Sequence, residues 1–174
     1  MHTADWWARM ETKIGTGNTL VPLVFASDGT QLASHAGDHD LWPIYMSIGN
    51  LPSSLRSRPS TNAWMLIGLF PIPPKKNDYL GNADGVPCKA PTAEIENYAK
   101  FKMDIFHQVL DSILYEDMHS MFNNGIRLDC ADGNIRKGIP VIAAWIADYL
   151  EYNKLYQIKK DGCCVCEVTR SQLG

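Results

Sequence analysis

Two aspartates stand where apolar runs stop. Asp28 follows the run Leu-Val-Pro-Leu-Val-Phe-Ala at 20–26, and Asp148 follows Ile-Pro-Val-Ile-Ala-Ala-Trp-Ile-Ala at 139–147. Strands that lie side by side deliver such carboxylates to one edge of a sheet. A carboxylate pair with room for water is a donor set for Mg²⁺ or Mn²⁺ in phosphoryl transfer, because these ions take oxygen ligands and keep part of their hydration. The spacing has a plainer reading too: an Asp after a strand caps the next element, and Asp-Gly is a common turn dipeptide. Asp132-Gly133 shares that ambiguity.

Cys163-Cys164-Val165-Cys166 contains one Cys-x-x-Cys pair, half of a structural zinc site, and no His follows His119. A redox pair ranks lower, since the motif does not open a helix after a thioredoxin-like strand. On spacing alone, thiols packed in a turn stand level with the zinc half-site. The basic pairs Arg56 with Arg58, Lys75-Lys76, Arg136-Lys137 and Lys159-Lys160 read first as solvated loops. A phosphate-binding Gly-rich loop ending in Lys-Ser/Thr, a Gly-x-Ser-x-Gly elbow and a His-Glu-x-x-His string are all missing. Gly15-Thr-Gly17 precedes a strand instead of following one, which disqualifies it as a dinucleotide fingerprint.

The elements that must position these residues follow from periodicity. Trp6, Met10 and Ile14 predict a short helix behind Thr3 or Asp5 as cap, stopped at Gly15. Residues 20–26 predict a buried strand, and 42–48 and 63–70 two more, giving a mostly antiparallel half-sheet. The proline-rich stretch 71–91 reads as a loop insertion and the segment in which motion is expected. Thr92 opens one long helix with Ile95, Tyr98, Ile105, Val109 and Ile113 on one face, ending at Asn123-Asn-Gly125. Residues 126–131 alternate as a strand does. The run 139–147 is a strand or a helix, its alanines suiting either, and 149–160 is a polar amphipathic stretch.

With 174 residues, 45% hydrophobic and 20% charged, the chain has the make-up of one compact domain, which excludes a disordered tail or a fibre. A formal charge of −3 denies it the positive field that drives tight binding to nucleic acid. There is no apolar run of about 18 residues and no leader-like N-terminus, so the expectation is a soluble, intracellular protein in the nucleus or cytoplasm, neither secreted nor in a membrane. An odd number of cysteines, 5, fits a reducing compartment.

Longer strings are more specific than these spacings. Val21-Pro-Leu-Val-Phe-Ala-Ser-Asp-Gly-Thr-Gln-Leu32, Gly37-Asp-His-Asp-Leu-Trp-Pro-Ile-Tyr-Met-Ser-Ile-Gly-Asn50, Arg58-Pro-Ser and Leu66-Ile-Gly-Leu-Phe-Pro-Ile-Pro73 occur in that order. Trp6-Trp7 lies upstream. Asp132-Gly133 with Arg136-Lys137, Asp148-Tyr149, Asp161-Gly-Cys-Cys-Val-Cys166 and Gln172-Leu-Gly174 lie downstream. Over nearly its whole length the chain resembles the Plavaka family of fungal transposases, which is similar to the wider CACTA (EnSpm) group of cut-and-paste elements.

The resemblance implies an α/β, ribonuclease H-like fold: three antiparallel strands, a long helix, then further strands. It implies a reaction in which three acidic residues bind two Mg²⁺ or Mn²⁺ ions, while a water and then a DNA 3′-hydroxyl attack phosphodiesters in line. By position the first acidic residue is Asp28 and the second Asp148, with Asp132 in reserve. Cys163 and Cys166 match a zinc knuckle, and Arg136 and Lys137 are candidate DNA contacts. Gly29 stands where relatives tend to have Lys, and Leu150 where they have Pro. The third acidic residue and the remaining knuckle ligands lie further downstream in the family. The expectation is therefore a C-terminally truncated piece: a lead-in at 1–19, a partial catalytic core at 20–162 with its insertion at about 71–91, and the start of a knuckle at 163–174. Such a chain is expected to be inactive alone, to bind DNA weakly and to associate with other transposase copies; the alternative is a non-catalytic DNA- or protein-interaction module.

Overall fold

The computed structural model describes residues 3–33, 39–73, 92–158 and 162. It is a mixed α/β structure of two compact units, each gathered from three stretches of chain: Met1–Ser27, Pro43–Gly68 and Ser112–Ile146 in the first, Asp28–Trp42, Leu69–Asp111 and Ala147–Gly174 in the second. The zinc half-site at Cys163 and Cys166, and all but the first residues of the 71–91 insertion, lie outside the described residues.

The first unit is built around strand β1 (Asn18–Ser27). On one side it pairs antiparallel with β3 (His39–Ile48), from Leu23↔Ile48 to Ser27↔Ile44. On the other it pairs parallel with β6 (Ile135–Ile146), from Asn18↔Lys137 to Ala26↔Ile146. A strand with neighbours on both sides reads as a continuous apolar run, and Leu20 to Phe25 are all buried. Pro22 has no N–H for the ladder, and the β1–β6 register shifts one residue later, between Leu23 and Val24. The Trp145 ring stacks on Phe25 at 5.0 Å, while its Nε1–H donates to the hydroxyl of buried Ser27 at 2.9 Å.

The run at 139–147 is thus a strand and not a helix, and it starts earlier, at Ile135, because its first residues pair antiparallel with β5 (Ile126–Asp129). Helix α1 (Asp5–Ile14) forms as expected, yet neither Thr3 nor Asp5 caps it. Ala4 occupies the cap position without a side-chain bond, and Asp5 lies in the first turn, where its charge complements the helix dipole. Short α2 (Ser53–Arg56) and a 3₁₀ turn (Pro59–Thr61) precede β4 (Met65–Phe70), which pairs with β3.

The single long helix expected from Thr92 is two: α3 (Thr92–Leu114) and α4 (Glu116–Asn124). No proline or glycine marks the break, and Tyr115 keeps helical angles, φ −79° and ψ −57°. Gly125 ends α4 as its sequence suggests. Its φ is +73°, and a Cβ there would lie 2.6 Å from Lys137 Cε and 2.9 Å from the Gly138 carbonyl oxygen, so no other residue fits without movement.

In the second unit, β2 (Thr30–Ala33) pairs antiparallel with the start of β3 through Thr30↔Leu41, Gln31↔Asp40 and Ala33↔His39. This short hairpin was not foreseen. Its core is aromatic: Trp42 lies 4.8 Å from Phe70 and 5.5 Å from Phe106, which stack on each other at 4.4 Å. Within 149–160, the first residues form α5 (Tyr149–Leu155), whose buried residues are polar, Glu151 and Asn153. His107 Nε2–H donates to the Lys154 carbonyl oxygen at 3.1 Å.

Candidate functional site

The parallel register of β1 and β6 sets the position of both candidate aspartates. Ala26 is paired with Ile146, and each strand continues through one small residue, Ser27 or Ala147, to an Asp two positions past the pair. Asp28 and Asp148 therefore leave equivalent points at the carboxyl ends of adjacent parallel strands, the edge at which open α/β sheets bind their ligands. Both belong to the second unit and line one cleft there, of about 470 Å³, together with Trp42, Glu151 and Lys154 among others.

The two carboxylates differ in what they already do. Asp28 is exposed and makes no hydrogen bond or ion pair among the described residues. Asp148 caps α5: its Oδ1 accepts from the Glu151 N–H at 2.7 Å, while Oδ2 has no such bond among the described residues. The plainer sequence reading of Asp148, a cap after a strand, holds alongside its place in the cleft. Glu151 is only 5% exposed, and its Oε1 accepts from the Trp42 indole N–H. Lys154 holds its ammonium 4.0 Å above the Trp42 ring. Burial lowers the pKa of that ammonium; Glu151 and Asp148 pull it back up, and Lys102 pushes it further down.

Asp28 and Asp148 bring only carboxylate oxygens to the cleft, both on exposed residues. Ligands of this kind are those of Mg²⁺ or Mn²⁺, which bind through one or two carboxylates and keep several waters. The described residues contain no group of three or more His, Cys, Asp or Glu side chains arranged to hold a metal ion. Glu151 borders the same space, but its carboxylate is engaged by Trp42.

Asp132 is brought elsewhere. It lies in the turn between β5 and β6, in the first unit, whereas Asp28 and Asp148 lie in the second. Its two oxygens take the guanidinium of Arg136, at 3.0 Å from Nη1 and 2.5 Å from Nη2, and Oδ1 also accepts the Asn134 N–H at 3.1 Å. These bonds hold the Asp132 carboxyl far below the usual carboxylate range and raise Arg136 above its own. Lys137, the other candidate DNA contact, sits opposite Arg127 in the β5–β6 register, and Arg127 is itself bonded to Asp129 at 3.0 Å. Arg127, Arg136 and Lys137 border a second cleft of about 360 Å³ within the first unit.

Three residues of the first cleft were not singled out from the sequence. Glu151 follows Asp148 at the spacing of a helix capping box, and Lys154 follows Glu151 at the i,i+3 spacing of a helix surface pair, so both carried a local signal. Trp42 carried none beyond its aromatic bulk. No helix among the described residues is long and apolar enough to cross a membrane. A family model described as Plavaka transposase matches residues 1–174, and no curated protein and no solved structure matches the chain.

Proposed function

The chain belongs to the Plavaka transposase family, and from that premise we propose that its Asp28–Asp148 cleft is the divalent-metal part of a DNA-cutting and DNA-joining site on a ribonuclease H-like core of the CACTA type. The observation that carries this is the register: Ala26 opposite Ile146 in parallel strands, with an Asp two residues beyond each. The order of elements supports it, with β1 to β4 first, then α3 and α4, then β5 and β6, the last laid parallel to β1. Asp28 and Asp148 hold the ion. Mg²⁺ or Mn²⁺ bound there supplies activation of a water and stabilisation of the leaving oxygen. The chain's own contribution is positional: α5's first turn fixes one Asp148 oxygen through the Glu151 N–H and leaves the other for the cleft.

Manganese binding, followed by the paramagnetic resonance of free Mn²⁺, tests the reading. Asp28→Asn and Asp148→Asn are both expected to weaken binding at least tenfold. Asn caps a helix about as well as Asp, so the second substitution removes a charge without removing the cap. Wild-type affinity in both variants would overturn the assignment.

The chain by itself is not expected to cut DNA, because two metal-ready carboxylates stand among the described residues where the resembled reaction uses three. Nicking of supercoiled DNA with Mn²⁺ that disappears in Asp28→Asn would contradict that. Zinc binding at Cys163 and Cys166, a half-site, is expected to be weak, and a tight one-to-one tetrahedral complex within one chain would show otherwise. DNA binding is weak, in line with the charge of −3 and with Arg136 spent on Asp132.

A second reading, a module that binds protein without catalysis, draws on β4, whose Met65, Leu66 and Leu69 are 64%, 52% and 47% exposed. Concentration-dependent sedimentation abolished by Leu66→Lys would favour it.

A further inference from the structure

We propose that Lys154 is a phosphate-binding residue of the Asp28–Asp148 cleft, its ammonium presented by the Trp42 indole to a non-bridging oxygen of a DNA phosphodiester. This rests on the reading of that cleft as a phosphoryl-transfer site. Among the described residues that line it, Lys154 is the one Lys or Arg, set against the acids Asp28, Asp148 and Glu151. Without a cation, those acids repel a phosphate.

The head group is held in place. Nζ sits 4.0 Å from the Trp42 ring centroid, an arrangement in which the ring face attracts the ammonium but occupies none of its N–H donors with an acceptor. Trp42 is fixed in turn by Phe70 and Phe106 and by its N–H to Glu151. The backbone at Lys154 is tied to His107. Although three carboxylates line the cleft, Lys154 makes no ion pair among the described residues. Arg136 makes the opposite choice, with its guanidinium forked onto Asp132. A positioned ammonium with unspent donors beside carboxylates suits a singly charged anion rich in oxygens, which a phosphodiester is.

Fluorescence anisotropy of the full chain with a short duplex DNA, in EDTA and over a range of NaCl, tests this apart from any metal. Lys154→Met keeps a stem of similar length over Trp42 and removes the charge. It is expected to lower the log–log salt slope by about 0.9 and to weaken binding about eightfold at roughly 0.1 M salt. Lys154→Arg should retain both, and Lys13→Met, an exposed lysine in the last turn of α1, should change neither to that extent. Should Lys154→Met lower the unfolding midpoint, Lys154→Gln at an unchanged midpoint serves in its place. A wild-type slope in the charge-free variant overturns the proposal, as does a wild-type chain with no salt-dependent binding. Normal Mn²⁺ binding with an unaltered slope would overturn the role of Lys154 alone. A reduced slope without Mn²⁺ binding would support Lys154 and overturn the metal reading.

Discussion

Asp132 and Asp148 look alike in sequence, each an Asp next to a strand and beside a turn or a helix start, yet the molecule closes one and leaves the other open. At the β5–β6 turn, Arg136 takes both oxygens of Asp132 and Asn134 adds a backbone donor, so the charges cancel on the surface. At the end of β6, one oxygen of Asp148 receives the Glu151 N–H and the other takes no such bond among the described residues. Lys154, the cation there, stacks on an indole instead of pairing with the carboxylate. An acidic residue becomes available to a ligand when its neighbouring cation has somewhere better to sit.

The largest test of this contrast is Trp42→Ala. It removes the ring that packs on Phe70 and Phe106, seats Lys154 and donates to the buried Glu151 carboxylate. A loss of about 3 kcal/mol is expected from the cavity and the stranded acceptor together. Hydrogen exchange should show α5 losing amide protection before the β5–β6 hairpin does. Equal loss in both would mean that the cleft is not organised around the indole.

Of intermediate size is the pair Asp148→Ala and Asp148→Asn. Alanine deletes the α5 cap and should lower stability by about 1 kcal/mol, while asparagine should stay near wild type. Both should lose Mn²⁺ binding. Chemical denaturation beside metal titration separates the two duties of the residue, and a stable Asp148→Ala would show that the cap is idle.

How much of this was legible in the sequence depends on the range of the interactions. The buried strand β1 was, because a strand with partners on both sides must be apolar throughout, and both aspartates were found by where apolar runs end. The capping role of Asp148 was legible for the same local reason. The β2–β3 hairpin was not: its strand β2 has only four residues, without an apolar alternation to mark it. The break between α3 and α4 was hidden because Tyr115 stays helical. The burial of Glu151 was not legible, since its carboxylate meets an indole 109 positions away, a distance over which periodicity carries no information.

The smallest expected effect concerns the closed aspartate. Arg136→Gln removes the guanidinium that most depresses the Asp132 carboxyl, which should then titrate at higher pH, still below the ordinary carboxylate range because the Asn134 bonds remain. A carboxylate NMR titration reads this directly. The sign for stability follows from linkage. A depressed native pKa stabilises the fold above the unfolded value, and that contribution fades as pH falls through the native one. The ion pair is exposed, so water and salt screen it, and the unfolding midpoint at neutral pH should move little. Mn²⁺ binding at the cleft should not change, because Asp132 is not among the residues that line it. If Arg136→Gln left the Asp132 titration as depressed as in the wild type, the Asn134 bonds would account for it, and the contrast with Asp148 would rest on turn geometry instead of on where the nearby cation sits.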